Sequence, residues 1–188
     1  MNLNRDQAWK LLTEKMQNQN LRRHCLSVEV VMRALAKHFG GDEEKWGIVG
    51  LLHDGDYEFT KEDPGNHAKL MANWVRQLGE TDAELLEGIE SHGWFHQGKQ
   101  AQTQMQWALY CCDELTGLIV ASALVLPSKH LSDLSVQSVL KKFPQKSFAA
   151  GVKREDIQMC EEKLGINLKD FVGIALSAMQ QIASEVGL

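Results

Sequence analysis

The chain has 188 residues, 44% of them hydrophobic and 24% charged, with a formal net charge of −5. That length buries a substantial core without disulfide or metal staples. The acidic balance argues against generic nucleic-acid or anionic-membrane binding, which needs a basic surface, but leaves room for a small phosphorylated substrate met by a few local cations.

Proline is scarce and helical periodicity recurs along the chain, with no convincing run of alternating strand pattern. Residues 5–18 place Ala8, Leu11, Leu12 and Met16 on one face. Asn20 is the expected cap of a second helix, with Leu21, Cys25, Val28, Met32, Leu35 and Phe39 inward and Gly40-Gly41 as its stop. Asp42 is the expected cap of a third helix that runs into the His53-Asp54 pair of GLLHDGDYEF, and Gly47 and Gly50 within it predict close packing against a neighbour. Asn66 is the expected cap of the next, striped by Leu70, Met71, Trp74 and Leu78 and ended by Gly79. Thr81 and Glu84 read as a capping box opening a helix with Leu85 and Ile89 inward. SHGWFHQGKQAQ reads as a loop, Thr103 to Leu126 as a central buried helix closed by Pro127, and three shorter helices follow near 133–143, 153–164 and 167–186. The expectation is one all-α domain over 1–188.

The start, MNLNRDQAWKLLTEK, lacks a basic region leading into an apolar one, so no signal peptide is expected. The longest nearly unbroken apolar run, Leu115 to Leu126, is shorter than the roughly 20 residues that span a bilayer. Cys25, Cys111, Cys112 and Cys160 form no C-x-x-C pair and are expected to be buried free thiols in a reducing cytoplasm.

The informative polar residues sit on the inward faces. His24 shares a stripe with Val28, Val31 and Leu35; His53 follows Trp46 and Val49; His92 follows Leu85 and Ile89; Asp113 lies in the apolar LYCCDELTGLIVA. A lone inward histidine is usually a hydrogen-bonded core residue, and an isolated buried carboxylate is destabilising unless paired or metal-bound. Three imidazoles and two carboxylates converging from separate helices suit a divalent transition metal.

His24, then His53-Asp54 at the end of an apolar helix, then Asp113 on a later helix, resembles the H…HD…D signature of the HD-domain metal-dependent phosphohydrolases. The resemblance covers roughly residues 20–125. It implies a helical HD bundle over that range; the helix pattern adds a C-terminal helical extension over about 127–188, with no flexible linker between the two. The resemblance also implies that His24, His53, Asp54 and Asp113 ligate one ion. Binuclear members supply two histidines between the HD pair and the last aspartate, and His67 and His92 fall in that interval. The implied cofactor is a divalent metal (Mn, Fe, Co, Ni, Zn or Mg), one or two ions per chain, with Asp54 bridging if two. The implied reaction is hydrolysis of a nucleotide-like phosphoester by a metal-activated water. A minority of the family are di-iron oxygenases. No GYP follows the HD pair, and the lysine of HDxGK is absent.

Asp56 and Glu58, just past the HD pair, are expected to take a proton or orient the water, with loop solvation as the alternative. Arg23, Lys61 and Lys69 are candidate phosphate contacts. His38, His96 and His130 are expected on the surface. The basic LKKFPQKSF and VKRE segments are read as solvated helix ends. A non-catalytic helical module is the remaining alternative.

Overall fold

The computed structural model describes residues 1–188, and its regular elements are all helical. The first three helices are α1 (Arg5–Lys15), α2 (Gln19–Phe39) and α3 (Glu43–Leu52). Asn4 caps α1 through a capping box with Gln7. The cap of α2 is Asn18, which accepts from the amides of Asn20 and Leu21, so the helix starts before the expected Asn20. Gly40 ends α2 at φ +72, a left-handed conformation that glycine adopts without a Cβ clash. Asp42 caps α3 as expected.

The two α3 glycines do pack closely. A Cβ on Gly50 would lie 2.9 Å from the Val28 carbonyl oxygen, and one on Gly47 would meet the Arg33 side chain. Buried Glu29 of α2 accepts a two-pronged contact from Arg5 of α1 at 2.7 and 3.0 Å and pairs with Arg33 of its own helix at 3.1 Å; Arg33 in turn reaches Glu44 of α3 at 2.7 Å.

After the HD pair come a single turn, α4 (Tyr57–Thr60), and a 3-10 turn at Pro64–Asn66. Two short helices follow, α5 (Lys69–Gln77) and α6 (Ala83–Ser91). Three local expectations fail here. The residue before α5 is Ala68, at φ +65, because Asn66 is taken up in the 3-10 turn. The buried face of α5 is Met71, Ala72 and Val75, while Leu78 is exposed. The cap of α6 is Asp82, which accepts from Leu85 N–H, and not Thr81.

The central helix is α7 (Gln104–Leu124), capped by Thr103 with Gln106. Measured as a whole helix, α7 is long and apolar enough to cross a membrane, a length that the run Leu115 to Leu126 understated. Its packing against α2 and the later helices accounts for this apolarity: 56% of its most apolar stretch is buried. The remaining helices are α8 (Val136–Lys142), α9 (Arg154–Met159, continued by a π turn to Leu164), α10 (Leu168–Gln181) and α11 (Ala183–Val186). They lean on α2 and α7, so the same two helices carry both the N-terminal core and the extension. All four cysteines are buried and unbridged.

Candidate metal centre

Six side chains converge where α2, α3, α6 and α7 meet. His24 projects from the second turn of α2, and Asp113 from the middle of α7. His53 and Asp54 leave the end of α3, His92 ends α6, and His67 follows the 3-10 turn. His24 Nε2 lies 2.8 Å from Asp113 Oδ1 and 3.2 Å from His53 Nε2; His53 Nε2 is 3.6 Å from the same Asp113 oxygen. Both of these imidazoles are 3.9 Å from Asp54 Oδ2. The other Asp54 oxygen, Oδ1, faces His67 Nε2 at 3.0 Å and His92 Nε2 at 3.1 Å. His53 stands between the two groups, its ring centroid 4.7 Å from that of His92.

The donor sets fit a divalent cation. His24, His53 and Asp113 present donor atoms within 4.8 Å of one another, as do His53, Asp54 and His92. Ligands about 2.0–2.2 Å from a tetrahedral ion are separated by ~3.4 Å, close to the spacings here. The ring orientations fit as well. His53 Nδ1 contacts the Gly50 carbonyl at 2.7 Å. A carbonyl only accepts, so Nδ1 carries the proton and Nε2 turns a lone pair to the cluster. The Thr116 hydroxyl donates to the Asp113 carbonyl at 2.8 Å, which leaves its oxygen to accept from His24 Nδ1 at 3.4 Å. His67 Nδ1 lies 2.8 Å from Asp56 Oδ1.

The two carboxylates dominate the electrostatics of the cluster. Burial alone would lower His24, but the hydrogen bond and charge of Asp113, with Asp54, raise it to about 9. His67 is likewise raised to about 9, against burial, by Asp54 and Asp56. Burial works against ionisation of Asp54 and Asp113, yet the surrounding imidazoles hold both carboxyls well below the usual range. Two ionised carboxylates at the edge of the core make a field that attracts cations.

The other candidates separate clearly. Asp56 is fully buried; its Oδ1 meets His67 and its Oδ2 accepts the Met71 amide at 2.9 Å. Both oxygens are occupied, so its place is behind His67 and not beside a reacting water, contrary to expectation. Glu58 is also displaced from that role: it accepts from the amides of Gln17 and Asn18 and pins the α1–α2 turn. Arg23 is exposed next to His24, in the wall of a cavity that includes His24. Lys61 follows α4 and is exposed; Lys69 opens α5, two residues after His67.

Sequence reasoning missed Thr60 and Thr116. The Thr60 hydroxyl contacts both His67 Nδ1, at 3.1 Å, and the Asp56 carbonyl, at 3.0 Å. Their register was the available signal, since Thr60 lies four residues after Asp56 and Thr116 three after Asp113. It also missed Gly93, where a Cβ would overlap the His67 carbonyl oxygen. His38 and His130 are on the surface as expected; exposed His96 nevertheless stacks near the cluster, its ring centroid 6.4 Å from that of His67.

An all-α bundle that gathers H, HD and D at one helix junction is the arrangement of the HD domain. The HD-domain family model matches residues 21–124, and the chain belongs to this family of metal-dependent phosphohydrolases. Among curated proteins it is similar to the ribonuclease Y of Lawsonia intracellularis, 28% identical over 141 residues, covering 73% of this chain and 26% of that protein. It is also similar to those of Mycoplasma mycoides (30% over 107 residues, 57% and 24%) and Syntrophobacter fumaroxidans (25% over 171 residues, 89% and 32%). The chain thus spans about a quarter to a third of the length of these relatives. Comparison with solved structures yields no match.

Proposed function

We propose that the chain hydrolyses a phosphoester of a nucleotide or related small molecule at a two-ion site. The observation that carries this reading is the division of Asp54: Oδ2 faces His24 and His53, and Oδ1 faces His67 and His92. A carboxylate turned to two separate imidazole pairs is placed to bridge. In this reading His24, His53, Asp113 and Asp54 would hold one ion, and His67, His92 and Asp54 would hold the other. Divalent ions so held would supply acidification of water and neutralisation of phosphoryl charge.

The chain's own residues do the positioning. Gly50, Thr116 and Asp56 fix three of the imidazoles so that each presents Nε2. Arg23 is the cation best placed to orient a non-bridging phosphate oxygen, since it borders the cavity that reaches His24. Lys61 and Lys69 flank the His67 side and are assigned the weaker role of attracting an anion. The ribonuclease Y relatives by name act on RNA. For this chain a small nucleotide-like substrate agrees better with a net charge of −5.

The test is elemental analysis of protein purified without chelator or added metal, followed by a screen of phosphomonoesters, nucleotides and dinucleotides with Mn, Co, Ni, Mg or Zn. Chelator-sensitive hydrolysis is expected. No turnover, combined with oxygen uptake by iron-loaded protein, would replace the hydrolase with an oxygenase.

A further inference from the structure

A cavity of about 400 Å³ lies between α2 and α7, and His24 is part of its wall. Four other clefts, of about 190 to 850 Å³, include no residue of the metal cluster. The α7 side is apolar, with Val120 and Leu124, and Val186 from the end of the chain continues that surface. No carboxylate side chain lines it, but one cation does, Arg23. Unlike Arg5, Arg33 and Arg76, Arg23 enters no ion pair. Its guanidinium lies against Gly187, where a Cβ would come within 2.8 Å of it. Gly117 leaves the α7 surface bare where the cavity passes: a Cβ there would meet only Val152, at 3.6 Å.

We propose that this cavity is a subsite for the base and sugar of one unpaired nucleotide, whose phosphate is held by Arg23 and presented to the cluster at His24. The proposal rests on the phosphohydrolase reading of that cluster. Small-molecule pockets run to about 300–1000 Å³ and are mostly apolar with a few placed polar groups. This cavity is at the small end, enough for one nucleoside and too small for a duplex. An apolar wall suits the faces of a base, and an unpaired guanidinium suits a phosphate, which it grips through two parallel N–H donors. The C-terminal extension thereby acquires a role, since Val186–Leu188 close the wall facing α7.

The test is equilibrium binding to the full chain as purified, with adenosine 5′-monophosphate, ribose 5-phosphate and a short 5′-phosphorylated single-stranded oligoadenylate as probes. Adenosine monophosphate should bind at least about tenfold more tightly than ribose 5-phosphate. Gly117→Leu, which extends a side chain from the bare face, should erase that preference while helical content and metal content are kept. Arg23→Ala should weaken both monophosphates alike, and Arg23→Lys should restore only part of the loss. If Gly117→Leu does not fold, Val120→Trp fills the same space. Equal binding of the two monophosphates by the wild-type chain, or an undiminished preference in a folded cavity-filling variant, overturns the subsite. Oligoadenylate binding as tightly as the mononucleotide, with the same sensitivity to Gly117→Leu, identifies the end of a strand as the occupant; weaker binding identifies the free nucleotide. Base preference without any hydrolysis leaves the subsite standing and removes the hydrolase reading, whereas hydrolysis without base preference does the reverse.

Discussion

The two sides of the cluster are built differently. His24 and Asp113 stand inside α2 and α7, in the second turn of one and the middle of the other; these are the two longest helices, which pack on each other and carry the extension. His67 and His92 stand at the ends of short elements, next to a left-handed Ala68 and against Gly93. A non-glycine residue in that conformation costs on the order of 1–2 kcal/mol, so the backbone at His67 is held in place by its surroundings. The first side inherits its geometry from core packing. The second depends on individual hydrogen bonds and on one missing Cβ. Under the two-ion proposal, one position should persist with the fold and the other should be open to removal by local changes.

The variant expected to do most is Asp54→Ala, which takes an oxygen from both sides at once. It should lose nearly all bound metal and reduce hydrolysis by more than the ~100-fold typical of losing an outer-shell partner, with circular dichroism unchanged. Full metal retention would break the shared-carboxylate account. Next come His67→Ala and His92→Ala, each expected to lower metal content by about one ion per chain, while His24→Ala and His53→Ala also empty the first position. If all four behave alike, the two sides do not differ.

A smaller effect is expected from Asp56→Asn, which leaves every inner residue in place and, among them, loosens His67. Metal titration should show about 10–100-fold weaker affinity at one position and no change at the other. An equal effect on both would mean that Asp56 acts through the fold as a whole.

The smallest effect concerns the frame of the second side. Buried Glu80, just before α6, accepts from the amides of Asn2, Leu3, Thr81 and Asp82 at 2.6 to 2.8 Å. Burial would raise this carboxyl, but those amides hold it below its ordinary value. A depressed carboxyl stabilises the fold above its unfolded pKa of about 4.3 and loses that contribution as pH falls through the lower folded value. Glu80→Gln should cost about 1.5–3 kcal/mol at neutral pH and flatten the acid limb of the stability curve. Denaturant melts from pH 7 down to pH 3 measure this; a variant with the wild-type acid limb would remove Glu80 from the account.

The sequence by itself determined the helical class, the burial of α2, α3 and α7, and the candidates His24, His53, Asp54, Asp113, His67 and His92. Periodicity places a residue on a face, and a polar residue on an apolar face needs a partner, so His24, His53, His92 and Asp113 stood out before any contact was known; Asp54 and His67 entered through the resemblance to the HD family. It could not apportion the neighbours of the HD pair. Asp56 and Glu58 are both acidic, both near and both plausible beside a water, yet one is buried behind His67 and the other pins the turn before α2. Caps also moved, from Asn20 to Asn18 and from Thr81 to Asp82, because several adjacent residues can accept the same amides and packing selects among them. The approach of Gly93 to the His67 carbonyl and the direction of each Asp54 oxygen arise between segments far apart in sequence. Only tertiary packing fixes those distances, and the difference between the two sides of the cluster follows from them.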